Sequence, residues 1–318
     1  MAAIFTKAPG KIILFGEHAV VYGQPAIAIP VTRVNATASI VPEIQAEPGL
    51  VRIHAPDIQL NAELSSLAEN HPLGSAVRLT IEWLKPEDIP SFTLQVTSTI
   101  PIASGMGSSA AIAVAIIRAV SDFLGSPLSA QDVSSLAFEV EKIQHGTPSG
   151  IDNHVIAYQQ PVVFQQGKPH QFLKIDQPTH WIIADSGEST PTRETVAAVR
   201  SLFDQEPEYI QPLFDSIGAI AGDAKDALIN GNLPRLGMLL NQNHDLLKQI
   251  KVSSTRLDQL VQAALDAGAV GAKLSGGGRG GNIIALVSPE QVETVSTSLL
   301  KAGAVNIITT LLTGNEIP

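Results

Sequence analysis

The 318-residue chain has no cysteine. That absence excludes a disulfide framework, a thiolate zinc site, an iron–sulfur cluster and a cysteine nucleophile together. Positive charge is also scarce: 20 Lys plus Arg stand against 30 Asp plus Glu, a formal net charge of -10. A general nucleic-acid binder needs a basic footprint, so no nucleic-acid partner is expected. A local anion site built from backbone N–H groups stays open. Charged residues of both signs make up only 16%, below the usual quarter. Long apolar runs are missing too. Ala110–Ile117, ended by Arg118, is far short of a membrane span. Near the N-terminus, Lys7 and Lys11 precede a short apolar stretch, Ile12–Phe15, but Gly16, Glu17 and His18 interrupt it, so it does not read as a signal peptide. No repeat and no low-complexity segment occurs. The 8 histidines show no H-E-x-x-H or comparable zinc spacing. A soluble cytoplasmic protein with no membrane partner is the expectation.

What is present is a chain with 44% hydrophobic residues, enough for a real core. At roughly 100–200 residues per domain its length suggests two domains, and turn signals over 159–178 place the boundary near Pro178, giving 1–178 and 179–318. Arg33–Val41 and Phe92–Ile100 alternate apolar and polar residues, the period of a half-buried strand. Gly74–Leu84 reads as a helix stopped by Lys85-Pro86, and Ser108–Leu124 as a long Ala-rich helix closed by Gly125. Ser129 and Asp132 form a capping-box variant ahead of Val133, Leu136, Val140 and Ile143. The second half reads as α+β. A helical stripe at 257–265 ends at Gly268, with strands at 272–274, 283–287 and 306–312. Between the last two, Ser288 and Pro289 start a helix that Gly303 ends. Pieces of this size suggest a ferredoxin-like split βαβ arrangement.

The 25 glycines cluster. Pro101-Ile-Ala-Ser-Gly-Met-Gly-Ser-Ser-Ala-Ala111 joins an expected strand to an expected helix. Gly105 and Gly107 allow close backbone approach, and the helix start beyond them offers unpaired N–H groups. Ser108 and Ser109 add hydroxyls. A phosphate cradle is favoured over a plain N-capped turn; the missing Lys-Ser/Thr step excludes a Walker A loop. In Lys273-Leu-Ser-Gly-Gly-Gly-Arg-Gly-Gly-Asn282, three glycines match G-x-G-x-x-G. That fingerprint must open a helix, whereas this loop runs into the β-branched Ile283–Val287, so a Rossmann site is rejected. A glycine hairpin and a close-packed wall beside a ligand remain; glycine is costly to order, which favours the wall. The first cluster, Ala8–Gly23, sets Lys11, Glu17 and His18 around an apolar strand.

With these segments in their order and spacing, nearly the whole chain resembles the GHMP kinases. Gly16-Glu-His-Ala-Val-Val-Tyr-Gly23, His145-Gly-Thr-Pro-Ser-Gly-Ile-Asp-Asn153 and Asn243-His-Asp-Leu-Leu247 are most like the branch that phosphorylates mevalonate. Galactokinases share Gly-Glu-His but continue differently. The resemblance implies a two-domain α+β fold, with an N-terminal ribosomal-protein S5 domain 2-like domain, a C-terminal ferredoxin-like domain and the active site between them. It implies MgATP-dependent phosphorylation of the 5-hydroxyl of (R)-mevalonate in the route to isoprenoids. ATP and mevalonate are then the partners, and a homodimer is left open. Asp152 matches the family's catalytic base and Lys11 its partner, which would stabilise developing negative charge. Ser109 and Glu141 match the Mg2+ ligands; both offer the hard oxygen that Mg2+ prefers. From periodicity alone, Glu141 would be a solvated edge charge. Ser104, Gly105, Met106, Gly107, Ser108, Ser109 and Ala110 would hold the phosphates. Glu17, His18, Arg193 and Thr195 match substrate-side positions with Lys11 and Asp152; for Arg193 and Thr195 the plain alternative is a helix start capped by Thr190 or Thr192.

One departure stands out. Arg279 places a long cation where the family has glycine; it could meet a phosphate, a substrate carboxylate or solvent. The competing readings are a GHMP kinase for phosphomevalonate, homoserine or a sugar, and a non-catalytic ligand sensor on the same fold. The shortage of cations argues against a phosphorylated substrate. The presence of Lys11, Glu141 and Asp152 argues against the sensor.

Overall fold

The computed structural model describes residues 3–101, 105–145 (excluding the His145 side chain) and 148–313. Two compact units emerge. One holds the described residues of 1–11, 34–102 and 106–159, and the other those of 12–33, 103–105 and 160–318. Both are built from helices and sheets.

The first unit contains the start of β1 (Ile4–Phe15), the end of β2 (Ala26–Pro42), β3 (Val51–Ala55), β4 (Leu60–Glu63), α1 (Pro72–Leu84), β5 (Phe92–Ser98), α2 (Ser108–Phe123), α3 (Ala130–His145) and α4 (Ile151–Tyr158). Its strands run β4-β3-β5-β2. β5 pairs antiparallel with β2 and parallel with β3. The alternation seen in the sequence is the observed burial: Val34, Ala36, Ala38 and Ile40 of β2, and Leu94 and Val96 of β5, all point inward. α2 is buried nearly all round, from Ala110 to Val120, because α1, α3 and α4 all pack on it. A helix so enclosed has no polar face to keep, and its alanines let the neighbours come close. At the start of α3, Ser129 Oγ accepts the Asp132 N–H (3.2 Å), as a cap does, and donates its hydroxyl to the Asp132 carboxylate (2.7 Å). Val133, Leu136 and Val140 are buried, but Ile143 is exposed; the apolar stripe ends one turn sooner than expected.

Besides the end of β1 and the start of β2, the second unit contains β6 (Val162–Phe164) and β7 (Gln171–Phe172), an antiparallel hairpin where the turn signals lie. Then come β8 (Thr179–Asp185), α5 (Thr192–Gln205), α6 (Pro207–Ile229), α7 (Leu233–Gln249), α8 (Thr255–Asp266), β9 (Gly271–Ser275), β10 (Asn282–Val287), α9 (Val292–Lys301) and β11 (Asn306–Leu312). Strands β8–β11 form a sheet in the order β11-β8-β10-β9, every pairing antiparallel. From β8 onward the chain reads β, helices, β, β, α, β, the split βαβ pattern. Every residue of β9 and β10 is buried, which explains their short, unalternating apolar runs. Ser288 does not cap α9: a short 3-10 turn, Pro289–Gln291, intervenes, and its side chain makes no capping bond there. α7 and the start of β9 touch backbone to backbone: a Cβ on Gly237 would collide with the Val270 carbonyl, and one on Gly271 with the Gly237 backbone.

Candidate active site

Within the first unit, the glycine turn from Met106 onward, the start of β1 up to Lys11, α3 and α4 converge. The Lys11 N–H donates to the Met106 carbonyl at 3.0 Å, tying β1 to the turn. Gly105 and Gly107 both have positive φ, 71° and 70°. Gly107 sits at the N-cap of α2 and no side chain caps that helix. The first-turn N–H groups of Ser108, Ser109 and Ala110 therefore have no intrahelical acceptor, and the positive end of the helix dipole lies there. Such a turn suits an anion. Ser104, the first residue expected in this cradle, lies outside the described residues.

Asp152 stands in the first turn of α4. Its neighbour Asn153 is wholly buried and donates through Nδ2 to the Ser134 carbonyl (3.0 Å) and hydroxyl (2.9 Å) of α3. That clamp fixes α4 and aims Asp152 at Lys11, whose Nζ lies 2.9 Å from Oδ1. The Lys11 side chain is 7% exposed and that of Asp152 is 26% exposed. A Cβ at Gly107 would lie 3.0 Å from Lys11 Cγ and 3.3 Å from Asp152 Oδ2. The turn thus rests directly on the ion pair, and only a glycine leaves that contact unstrained.

Glu141 of α3 is buried. Burial is the main cause that raises its carboxyl to about 8; the charge of Asp152 pushes the same way, and Lys11 offsets part of it. One turn along α3, Gln144 accepts the Ser109 hydroxyl at 2.6 Å, so the Ser109 Oγ and Glu141 meet the same stretch of helix. The centre therefore holds Glu141 and Asp152 against Lys11, an arrangement short of positive charge.

The second unit holds the remaining expected residues. Glu17 and His18 follow β1. Glu17 is fully buried and paired with the equally buried Lys273. Burial raises the Glu17 carboxyl and lowers the Lys273 ammonium, and their mutual attraction opposes both shifts. His18 is lowered to about 4, first by burial and then by the charges of Lys273 and Arg279, with the Gly277 carbonyl opposing. Its ring is neutral at pH 7. Glu17 Oε2 and Thr195 Oγ1 are buried with no hydrogen-bond partner among the described residues. Arg193, in the first turn of α5, is exposed, and that helix has no side-chain cap. Arg279 is exposed with a positive φ of 56°. Its Nε donates to the Lys251 carbonyl at 3.2 Å and its carbonyl accepts the Thr190 hydroxyl at 2.8 Å. The glycine loop 276–281 is the β9–β10 hairpin, not a helix-opening fingerprint.

Lys273, Gln144 and Asn153 make site contacts that their sequence positions do not single out. For Lys273 the sequence holds no signal: its own face of the strand carries only Gly271 and Ser275, a pattern that suits solvent as well as burial.

Comparison with known proteins gives the family. The family model for the GHMP kinases N terminal domain matches residues 70–160, and that for the GHMP kinases C terminal matches 224–305. The chain belongs to the GHMP kinases. A mevalonate kinase from Pyrococcus furiosus is 35% identical, aligning over 96% of this chain and 95% of its own length. Among solved structures, L. major mevalonate kinase in complex with R-mevalonate aligns with a TM-score of 0.83 at 30% identity, covering 98% of this chain and 96% of that one. The Methanococcus jannaschii mevalonate kinase aligns with a TM-score of 0.86 at 27% identity over 99% of both chains. Among the described residues, no helix is long and apolar enough to cross a membrane.

Proposed function

We propose that the chain transfers the γ-phosphoryl group of ATP to the 5-hydroxyl of (R)-mevalonate, giving 5-phosphomevalonate and ADP. The observation that carries this reading is the Lys11–Asp152 pair, 2.9 Å apart and in contact with an uncapped glycine turn. An alcohol is a poor nucleophile. Asp152 accepts its proton as the bond from oxygen to phosphorus forms and the bond to the ADP oxygen breaks. Lys11 neutralises the charge that develops on the transferring group. Backbone amides of residues 105–110 hold the phosphates, so the transfer is mostly positioning and charge compensation. On the alcohol's side we assign Glu17, His18, Arg193 and Thr195. A neutral His18 orients the substrate by hydrogen bonding without adding charge, and the Arg193 guanidinium suits its carboxylate.

The donor set fits Mg2+. Among the described residues no group of three or more His, Asp or Glu side chains could hold a metal. Ser109 and Glu141 instead make a two-oxygen set, which suffices when phosphates and waters complete the shell. A buried carboxylate beside Asp152, with only Lys11 to offset the two charges, suits a divalent cation. When bound there, Mg2+ would neutralise phosphate charge.

The test is an ADP-release assay with mevalonate, 5-phosphomevalonate, homoserine and galactose side by side. Mevalonate is expected to be turned over well above the others. Asp152→Asn should lower kcat by about 10²–10⁴-fold while ATP binding and the unfolding midpoint stay near wild type. Near-normal turnover by that variant would remove Asp152 as the base.

A further inference from the structure

Lys273 takes part in none of the steps above, yet it is wholly buried in a strand of small and apolar residues. Burying an ammonium is unfavourable unless it is paired and its protons are accepted. Here both conditions are met: Nζ donates to Glu17 and, at 2.6 Å, to the Leu274 carbonyl. Side chains alternate along a strand, so Lys273 and Ser275 look to one side of β9, and Gly277 follows in the loop beyond it. Each of them meets the segment that ends in Glu17 and His18. Ser275 Oγ donates to the Ile13 carbonyl at 2.6 Å, and the Gly277 carbonyl lies 2.9 Å from His18 Nε2. A carbonyl can only accept, so Nε2 carries the hydrogen.

His18 also has φ 61° and ψ −49°, a backbone state that a non-glycine residue keeps only when its surroundings over-determine it. Of the contacts that hold it, the Glu17–Lys273 pair is the charged one and lies one residue away in sequence. We propose that Lys273 is a positioning residue: through Glu17 it holds the His18 corner in its strained form and fixes where Nε2–H points. Its effect on catalysis rests on the assignment of His18 to the alcohol's side.

The clip can be tested without any substrate. Histidine carbethoxylation of the full chain, read by peptide mass spectrometry, reports how open each ring is. In wild type, His18 should label slowly, since it is buried. In Lys273→Met, and in Glu17→Gln, which keeps the shape but breaks the ion pair, His18 should label at least tenfold faster while the other histidines change less than twofold. If Lys273→Met speeds every histidine alike, it has unfolded, and Glu17→Gln decides by the same criterion. A His18 that stays protected in Glu17→Gln overturns the proposal. So does a uniform increase in both variants, which would make the pair a general stability element. Kinetically, Lys273→Met should raise KM for the alcohol about tenfold and leave KM for ATP within twofold. Fast His18 labelling with an unchanged alcohol KM would support the clip and refute the His18 assignment, so the two failures are distinguishable.

Discussion

Glu141→Gln offers a sharp test of the electrostatics of the centre, because it predicts that stability falls with pH where most carboxylates would make it rise. The folded-state value of about 8 lies above the 4.5 of a free glutamate. Between these values the folded chain binds a proton that the unfolded chain has released, so the slope of stability with pH is negative there. The contribution is fully present below pH 4.5 and is lost as pH rises through 8. With about 1.4 kcal/mol per unit of difference, wild type should lose about 3 kcal/mol from this group between pH 4.5 and 7, and about 5 kcal/mol once the folded state has also ionised. Gln has nearly the same shape and no proton to lose, so the variant should lack this decline. His18, His154 and His244 are all lowered by burial and make stability rise over part of the same range. They are common to both proteins, so the wild-type-minus-variant difference isolates Glu141. Urea unfolding followed by circular dichroism at pH 5, 6, 7 and 8, at constant ionic strength, gives the two curves. If they run parallel within about 0.5 kcal/mol, well below the predicted loss, Glu141 does not carry the raised value, and the picture of an under-compensated carboxylate pair is wrong.

Three further outcomes follow from the same geometry. Binding of MgATP should release close to one proton at pH 7 from wild type and almost none from Glu141→Gln, because the ligand form of a carboxylate is the ionised one; calorimetry in two buffers of different ionisation enthalpy measures it, and equal release by both proteins would remove Glu141 from the metal's ligands. Gly107→Ala should cost about 1–3 kcal/mol of stability from its positive φ and lower kcat by at least tenfold, since its Cβ would press on Lys11 and Asp152; turnover and urea midpoints check both. His244→Ala should cost about 1–3 kcal/mol, because its buried ring bridges Asp258 (3.1 Å) and the Leu274 N–H (3.3 Å); an unchanged unfolding midpoint would refute that.

Local pattern carried much of the fold. Alternation in β2 and β5, the Ser129–Asp132 cap and the β-branched run of β10 were legible because each is decided by residues within a few positions. The path of β1 and β2, each divided between the two compact units, was not legible, since nothing in a strand's periodicity records which neighbours it takes along its length. The site divided in the same way. The uncapped glycine turn before α2 was legible through its own residues. Glu141 was not, because a carboxylate beside an apolar stripe looks the same whether the next layer is solvent or protein. Burial by α2 and α4 is a property of packing, and it alone turns Glu141 from an edge charge into a group raised to about 8. Lys273 is the instructive middle case. Its face of β9 carries Gly271 and Ser275, which leaves solvent and burial equally open; once packing buries it, an acid must stand opposite. Which acid could not be read, because Glu17 lies 256 positions away. The general lesson concerns sign and distance: a buried charge in an apolar strand predicts that a counter-charge exists, whereas only the fold supplies its address.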